Sequence, residues 1–262
     1  RKSCDIITTL PVVESFDSYG SDAFLPCWSK LSSNANPSLN TTNYSSPKSM
    51  YFYTASGAYN YLISPEFDVS IPINSLSAFF KLYKTSDAYN ITSDAYNITV
   101  GVMSDPTDAT TFDSITNLSP TSTSTWQIFG VDFTNYTGIG QYIAFKVQGF
   151  GAANGMYIDD LMINTTPSCS IPAGLTDYDS LATPNSITLD WDGADDANVV
   201  SWIVEYKPID ETTWQSEDAF AHPFVLTGLQ SSIVYQVRLY AICSSGDTTY
   251  ATNTINVGMP CE

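Results

Sequence analysis

Basic residues are scarce: nine Lys and Arg stand against 27 Asp and Glu, a formal net charge of −18. Such a surface repels phosphate backbones and anionic lipid, which argues against nucleic-acid partners and against binding at membrane surfaces. Histidine is nearly missing as well. His222 stands alone, which removes most Ser-His-Asp, Cys-His and multi-histidine zinc chemistry. Five cysteines (Cys4, Cys27, Cys169, Cys243 and Cys261) make no CxxC pair. They read instead as disulfide partners in an exported, secreted or cell-surface protein. No apolar run approaches the roughly 18 residues of a bilayer span, so no membrane insertion is expected. No segment sustains the 3.6-residue apolar period of a packed helix. The chain contains no RGD tripeptide, and it opens at Arg1 rather than Met. That opening predicts a processed product or a fragment excised from a longer chain.

What remains is aromatic and β-branched. Hydrophobic residues make up 43% of the chain and aromatics 13%, enough to bury real cores. "SMYFYTA" (49–55), "SLSAFFKLY" (75–83), "YNITVGVMS" (96–104), "TWQIFGVDF" (125–133) and "YIAFKVQGF" (142–150) alternate in the manner of strands, with Pro, Gly, Asn and Asp clusters between them. An all-β chain is predicted. A boundary falls in "NTTPSCSIP" (164–172), after the apolar strand "MYIDDLMI". Beyond it, strands recur at the shorter spacing of an immunoglobulin-like sandwich: "SITLDWD", "VVSWIVEYKP", "FVLTGL", "IVYQVRLYAIC" and "TYATNTINV".

Residues 167–262 resemble a fibronectin type III domain of the kind found in exported multidomain proteins of Bacteroidetes-type bacteria. Trp191, Tyr206 and "LTGLQSSIVYQVRLYAIC" carry the likeness, with Leu229 plugging the core and Tyr235 at the corner position. The resemblance places the first strand's start and the sixth strand's end at one pole, which implies a Cys169–Cys243 disulfide. Cys261 then reads as the opening cysteine of a further module of the same chain. Cys4 and Cys27 are left to close a short loop in the first domain.

Residues 1–166 hold "VVESFDSYG", "LPCWSKL" and "GMYIDDLMI" in that order. They resemble the MAM-like jelly-roll modules of bacterial surface proteins, including cleaved-adhesin and "choice-of-anchor J" domains. The resemblance implies a jelly-roll β-sandwich with adjacent first and last strands, and adhesion or ligand binding rather than catalysis. It also implies a structural calcium held by Glu14 and Asp17 with Asp159 or Asp160, although relatives commonly carry Glu at the place of Asp17. The competing reading has Asp160 accepting backbone N–H groups and binding no metal.

Adjacent strand residues face opposite ways, so Asp159 and Asp160 are not expected to form the facing carboxyl pair of a glycosidase. Tyr51 and Tyr53 share one strand face and could stack on sugar rings, or could merely decorate the sandwich. Trp28 and Trp126 sit among apolar neighbours and read as core. The bacterial resemblance further suggests O-glycosylation at Ser114, Ser180 and Thr248, while seven Asn-x-Ser/Thr sequons would matter in a eukaryotic secretory pathway. "SDAYNIT" occurs twice in tandem over 86–99 and reads as a duplication tolerated at a hairpin tip, since loop entropy grows slowly with length. The expected function is a non-catalytic adhesion or ligand-binding module pair, with a glycan or surface protein as partner. The alternatives are an accessory region of a secreted peptidase or glycosidase, or a structural subunit of a surface appendage.

Overall fold

A computed structural model describes residues 5–19, 24–32, 37–53, 58–85, 97–121, 125–148, 155–178, 181–193 and 196–261, without the side chain of Tyr53. Two compact units meet between Thr166 and Pro167. Both are built of antiparallel sheets.

In the first unit one sheet contains β3 (Ser38–Asn40), β4 (Ser49–Tyr53), β11 (Gly155–Thr165), β6 (Leu76–Lys84) and β9 (Gln127–Asp132) in that order, with β1 (Val12–Glu14) also paired to β11. The facing sheet runs β2 (Ser29–Ser32), β5 (Tyr59–Ile63), β10 (Tyr142–Gln148), β7 (Ile98–Met103) and β8 (Asp113–Leu118). From β5 onward the chain passes back and forth between the sheets in jelly-roll fashion, except that β7 and β8 follow one another in the same sheet. Alternation explains the packing: Met50, Phe52, Leu82, Val100, Phe145 and Ile158 turn inward and are fully or almost fully buried. Phe80 of β6 meets Phe145 of β10 edge-to-face at 5.2 Å, joining the two sheets through the core. Trp28 belongs to this core.

Strand β11 changes partner along its length. Its first half pairs with β4 through Tyr157↔Tyr51 and Ile158↔Met50. Its second half pairs with β1 through Leu161↔Glu14 and Ile163↔Val12. At the handover the register with β6 shifts between Asp159 and Met162, and Asp160 adopts φ 45°, a left-handed conformation uncommon for a non-glycine residue. The two neighbouring aspartates sit in this bulge.

The second unit packs β12 (Ala173–Asp177), β13 (Ser186–Asp192) and β16 (Phe224–Thr227) against β15 (Gln215–Ala219), β14 (Val199–Pro208), β17 (Val234–Cys243) and β18 (Ile255–Gly258). Trp191, Trp202, Leu229 and Tyr235 are core residues. The Tyr235 hydroxyl accepts the Gln230 N–H at 3.0 Å. Cys169 and Cys243 are disulfide-bonded. Cys27 is a free thiol, and Cys4, its expected partner, lies outside the described residues. Cys261 is also free, and exposed. The first copy of the doubled heptapeptide and most of the second lie outside the described residues; its end enters β7 at Ile98.

Candidate functional site

The outer face of the six-stranded sheet brings together the acidic residues and a set of aromatic rings. At the β11 bulge, Asp159 is fully buried. Its Oδ2 accepts the backbone N–H groups of Tyr44 (2.7 Å) and Ser45 (3.1 Å), and its Oδ1 accepts that of Asp160 (2.8 Å). The Ser45 hydroxyl donates to Asp160 Oδ1 at 2.6 Å and lies 3.4 Å from Asp17 Oδ2. Asp17 Oδ1 accepts the Lys48 N–H at 2.9 Å. The Lys81 ammonium stands 2.7 Å from Asp160 Oδ2 and 3.3 Å from the centre of the Tyr44 ring. Glu14 accepts from the Phe16 N–H and the Tyr19 hydroxyl at 2.7 and 2.8 Å. The neighbouring aspartates therefore do not point to opposite sides. The bulge interrupts the alternation, and both hold the segment that joins β3 to β4.

Calcium takes roughly six to eight oxygen ligands. Seven of the eight carboxylate oxygens of Glu14, Asp17, Asp159 and Asp160 here accept N–H or O–H groups. Among the described residues no group of three or more His, Cys, Asp or Glu side chains is arranged to hold a metal ion. As arranged, these residues do not fit a calcium cage, because protein donors, one of them an ammonium, occupy the positions a cation would take. Melting curves in excess chelator and in millimolar calcium are accordingly expected to coincide. A calcium-dependent rise in the melting temperature would contradict this.

Burial pushes the Asp159 carboxyl up from the usual carboxylate value of 3.8 to about 7, against the pull of its three N–H donors. Burial raises Glu14 as well, and Asp17 adds to that rise. A carboxyl that holds its proton more tightly when folded makes its full contribution to stability below the unfolded pKa, and loses it as pH rises toward the folded one. The first unit should therefore lose stability between about pH 4 and pH 7. Asp159→Asn should flatten that decline when denaturant midpoints are compared across the window. An unchanged slope in the variant would refute the assignment.

Beside the carboxylates lies a row of rings. Tyr157 pairs in register with Tyr51 on one side and Tyr83 on the other. Tyr51 stacks on Tyr157 at 4.6 Å, and Tyr157 meets Tyr83 edge-on at 5.6 Å. Tyr83 contacts Trp126 at 5.2 Å, and Trp126 reaches Tyr44 at 6.2 Å. Trp126 is thus half-buried in this outer row rather than part of the core. Of the two tyrosines picked from sequence, Tyr51 is in the row, and the side chain of Tyr53 is not described. Tyr157, Tyr83 and Tyr44 escaped notice because they come from separate strands or loops, and only cross-strand register joins them.

In the second unit, His222 Nδ1 lies 2.7 Å from Asp190 Oδ1, and the Tyr178 hydroxyl donates to Asp190 Oδ2 at 2.6 Å. Those two bonds, from Tyr178 first, hold the Asp190 carboxyl below the usual range. The His222 ring packs on both Trp191 and Trp202. Ser114 and Thr248 are exposed, and Ser180 lies outside the described residues.

The two units define a pair of β-sandwich modules. Residues 179–257 match the model of the fibronectin type III domain. A search of curated proteins finds no match to the chain. Among solved structures, the K2 cleaved adhesin domain of Lys-gingipain is 14% identical with a TM-score of 0.44, over 60% of this chain and 98% of that one. A glycoside hydrolase domain of Endo-D from Streptococcus pneumoniae R6 is 12% identical with a TM-score of 0.38, over 90% of this chain and 38% of that one. The fn3 domain of human collagen alpha-1(XX) is 20% identical with a TM-score of 0.32, over 38% of this chain and 92% of that one.

Proposed function

We propose that the chain is a non-catalytic, ligand-binding module pair of an exported multidomain protein. The first unit engages the ligand, and the fibronectin type III unit spaces or presents it. The observation that carries this reading is the aromatic row on the outer sheet face, where Tyr51, Tyr83 and Trp126 remain half-buried around the buried ring of Tyr157. Assignment of the first unit to the MAM-like, cleaved-adhesin type draws support from the pairing of β1 with β11, which sets the first and last strands side by side. Secretion or surface display draws support from the Cys169–Cys243 disulfide.

The non-catalytic reading draws support from the acidic cluster itself. Asp159 is sealed from solvent, and Asp160 is committed to Lys81 and Ser45. The chain should bind saturably to a member of a panel of immobilised glycans and extracellular glycoproteins, without releasing reducing sugar or peptide from it. Retention by no member of the panel, or release of product, would overturn the proposal.

A further inference from the structure

We infer that the row formed by Tyr51, Tyr157, Tyr83 and Trp126, with Tyr44 at its rim, is a binding site for an uncharged saccharide chain. This rests on the reading of the first unit as a ligand-binding module and names the ligand class. Three observations carry it.

The first is continuity. Four rings, from β4, β11, β6 and the residue just before β9, touch in sequence, so the row crosses the sheet at right angles to its strands. Their neighbours along the strands point the other way and form the core: Met50, Phe52, Leu82, Met156 and Ile158 are all buried. The outer rings are not needed to fill that core. The half-buried rings of Tyr51, Tyr83 and Trp126, backed by the buried Tyr157, offer amphipathic stacking surface of the kind a pyranose chain, whose C–H patches alternate with hydroxyls, can use. The register partner Ser38, beside Tyr51, and Lys81, one pleat along from Tyr83, are polar rather than aliphatic anchors for a protein partner.

The second is the fixed rim. Tyr44 is half exposed at 48%, yet its backbone is tied to the buried Asp159 and its ring rests on Lys81 and Trp126. Holding a ring in place before the ligand arrives cuts the ordering cost of binding. On this reading the carboxylates position the rim and do not touch the ligand.

The third is charge. Lys81, a cation beside this strip, is committed to Asp160 and to the Tyr44 ring. Asp17, Asp159 and Asp160 lie beside it in a chain of net charge −18. That setting disfavours sulfated or uronic-acid polymers and leaves neutral sugars.

Affinity electrophoresis of the full chain through gels containing neutral polysaccharides (mannan, xyloglucan, mixed-linkage glucan) or an anionic one (heparin) tests this. A neutral polymer should retard the wild type, and heparin should not. Trp126→Ala and Tyr83→Ala should each weaken the interaction about tenfold. Phe220→Ala, an exposed aromatic of the second unit, should leave it unchanged. Should either alanine variant fail to fold, Trp126→Leu and Tyr83→Leu keep apolar bulk but remove the ring, and the same loss is expected. Neutral polymers that do not retard the wild type, or ring-free variants that migrate as the wild type does, overturn the saccharide assignment. If the same chain binds an immobilised glycoprotein stripped of its glycans, the module reading survives and only the ligand class falls.

Discussion

Trp191→Ala should lower the stability of the second unit by about 3–5 kcal/mol, read as a shift in its denaturant transition. Trp191 is 3% exposed, meets Trp202 at 5.4 Å and His222 at 5.5 Å, and sits in the strand that joins the three-stranded sheet to the core. Among the described residues its indole N–H has no hydrogen-bond partner, so truncation forfeits no hydrogen bond seen there. The whole cost is packing and the cavity left behind. Neighbours cannot collapse easily into that space, because His222 is fixed by Asp190 and Trp202 is held in β14. A domain of this size commonly has about 5–15 kcal/mol in total, so the loss should leave it close to unfolding. Trp191→Phe should recover part of it. A loss below about 1 kcal/mol would show that the ring is not a core element.

The strands that carry the core were legible in sequence because alternation and β-branched content survive in each segment taken alone. "VVSWIVEYKP" is β14 from end to end, and "SITLDWD" is β13. Short edge elements were not read. β3 spans three residues, and β15, "QSEDA", has a pattern that is almost wholly exposed. Such strands form because a neighbour offers open hydrogen-bonding groups, which is a property of the sheet rather than of the segment.

The candidate site was legible only in part. The acidic residues were visible as a motif, but their geometry was not. Period-two alternation predicts Asp159 and Asp160 on opposite sides, and the bulge where β11 passes from β4 to β1 cancels that rule. Ser45 and Lys81, which satisfy the carboxylates, come from a loop and from a strand far along the chain. The aromatic row is hidden for the same reason. Its members are ordinary strand tyrosines until register lines them up, and Trp126 looked like core because its apolar neighbours in sequence do not report which face it occupies.

Removing the Cys169–Cys243 bridge by a double serine substitution should cost the second unit about 4–5 kcal/mol, since the bridge closes a loop of 74 residues in the unfolded chain. Both cysteines are buried in the core cluster, at 8% and 1% exposure. Two buried hydroxyls in place of the disulfide therefore add to the loss. The contacts around the bridge do not substitute for it. Asp247 accepts from the Ser168 N–H at 2.8 Å and the Ser168 hydroxyl at 2.6 Å, and these bonds hold its carboxyl down at about 2. They are solvent-exposed, however, and local to the folded pole, so they leave the unfolded ensemble unconstrained. Reduction of the wild type should thus reproduce most of the loss seen in the variant, and the transition of the first unit should stay in place under both treatments. A second unit that melts within about 1 kcal/mol of the oxidised protein after reduction would mean that its core alone sets its stability. The larger loss would mean that the module depends on an oxidising environment to stay folded, which is the condition an exported chain meets.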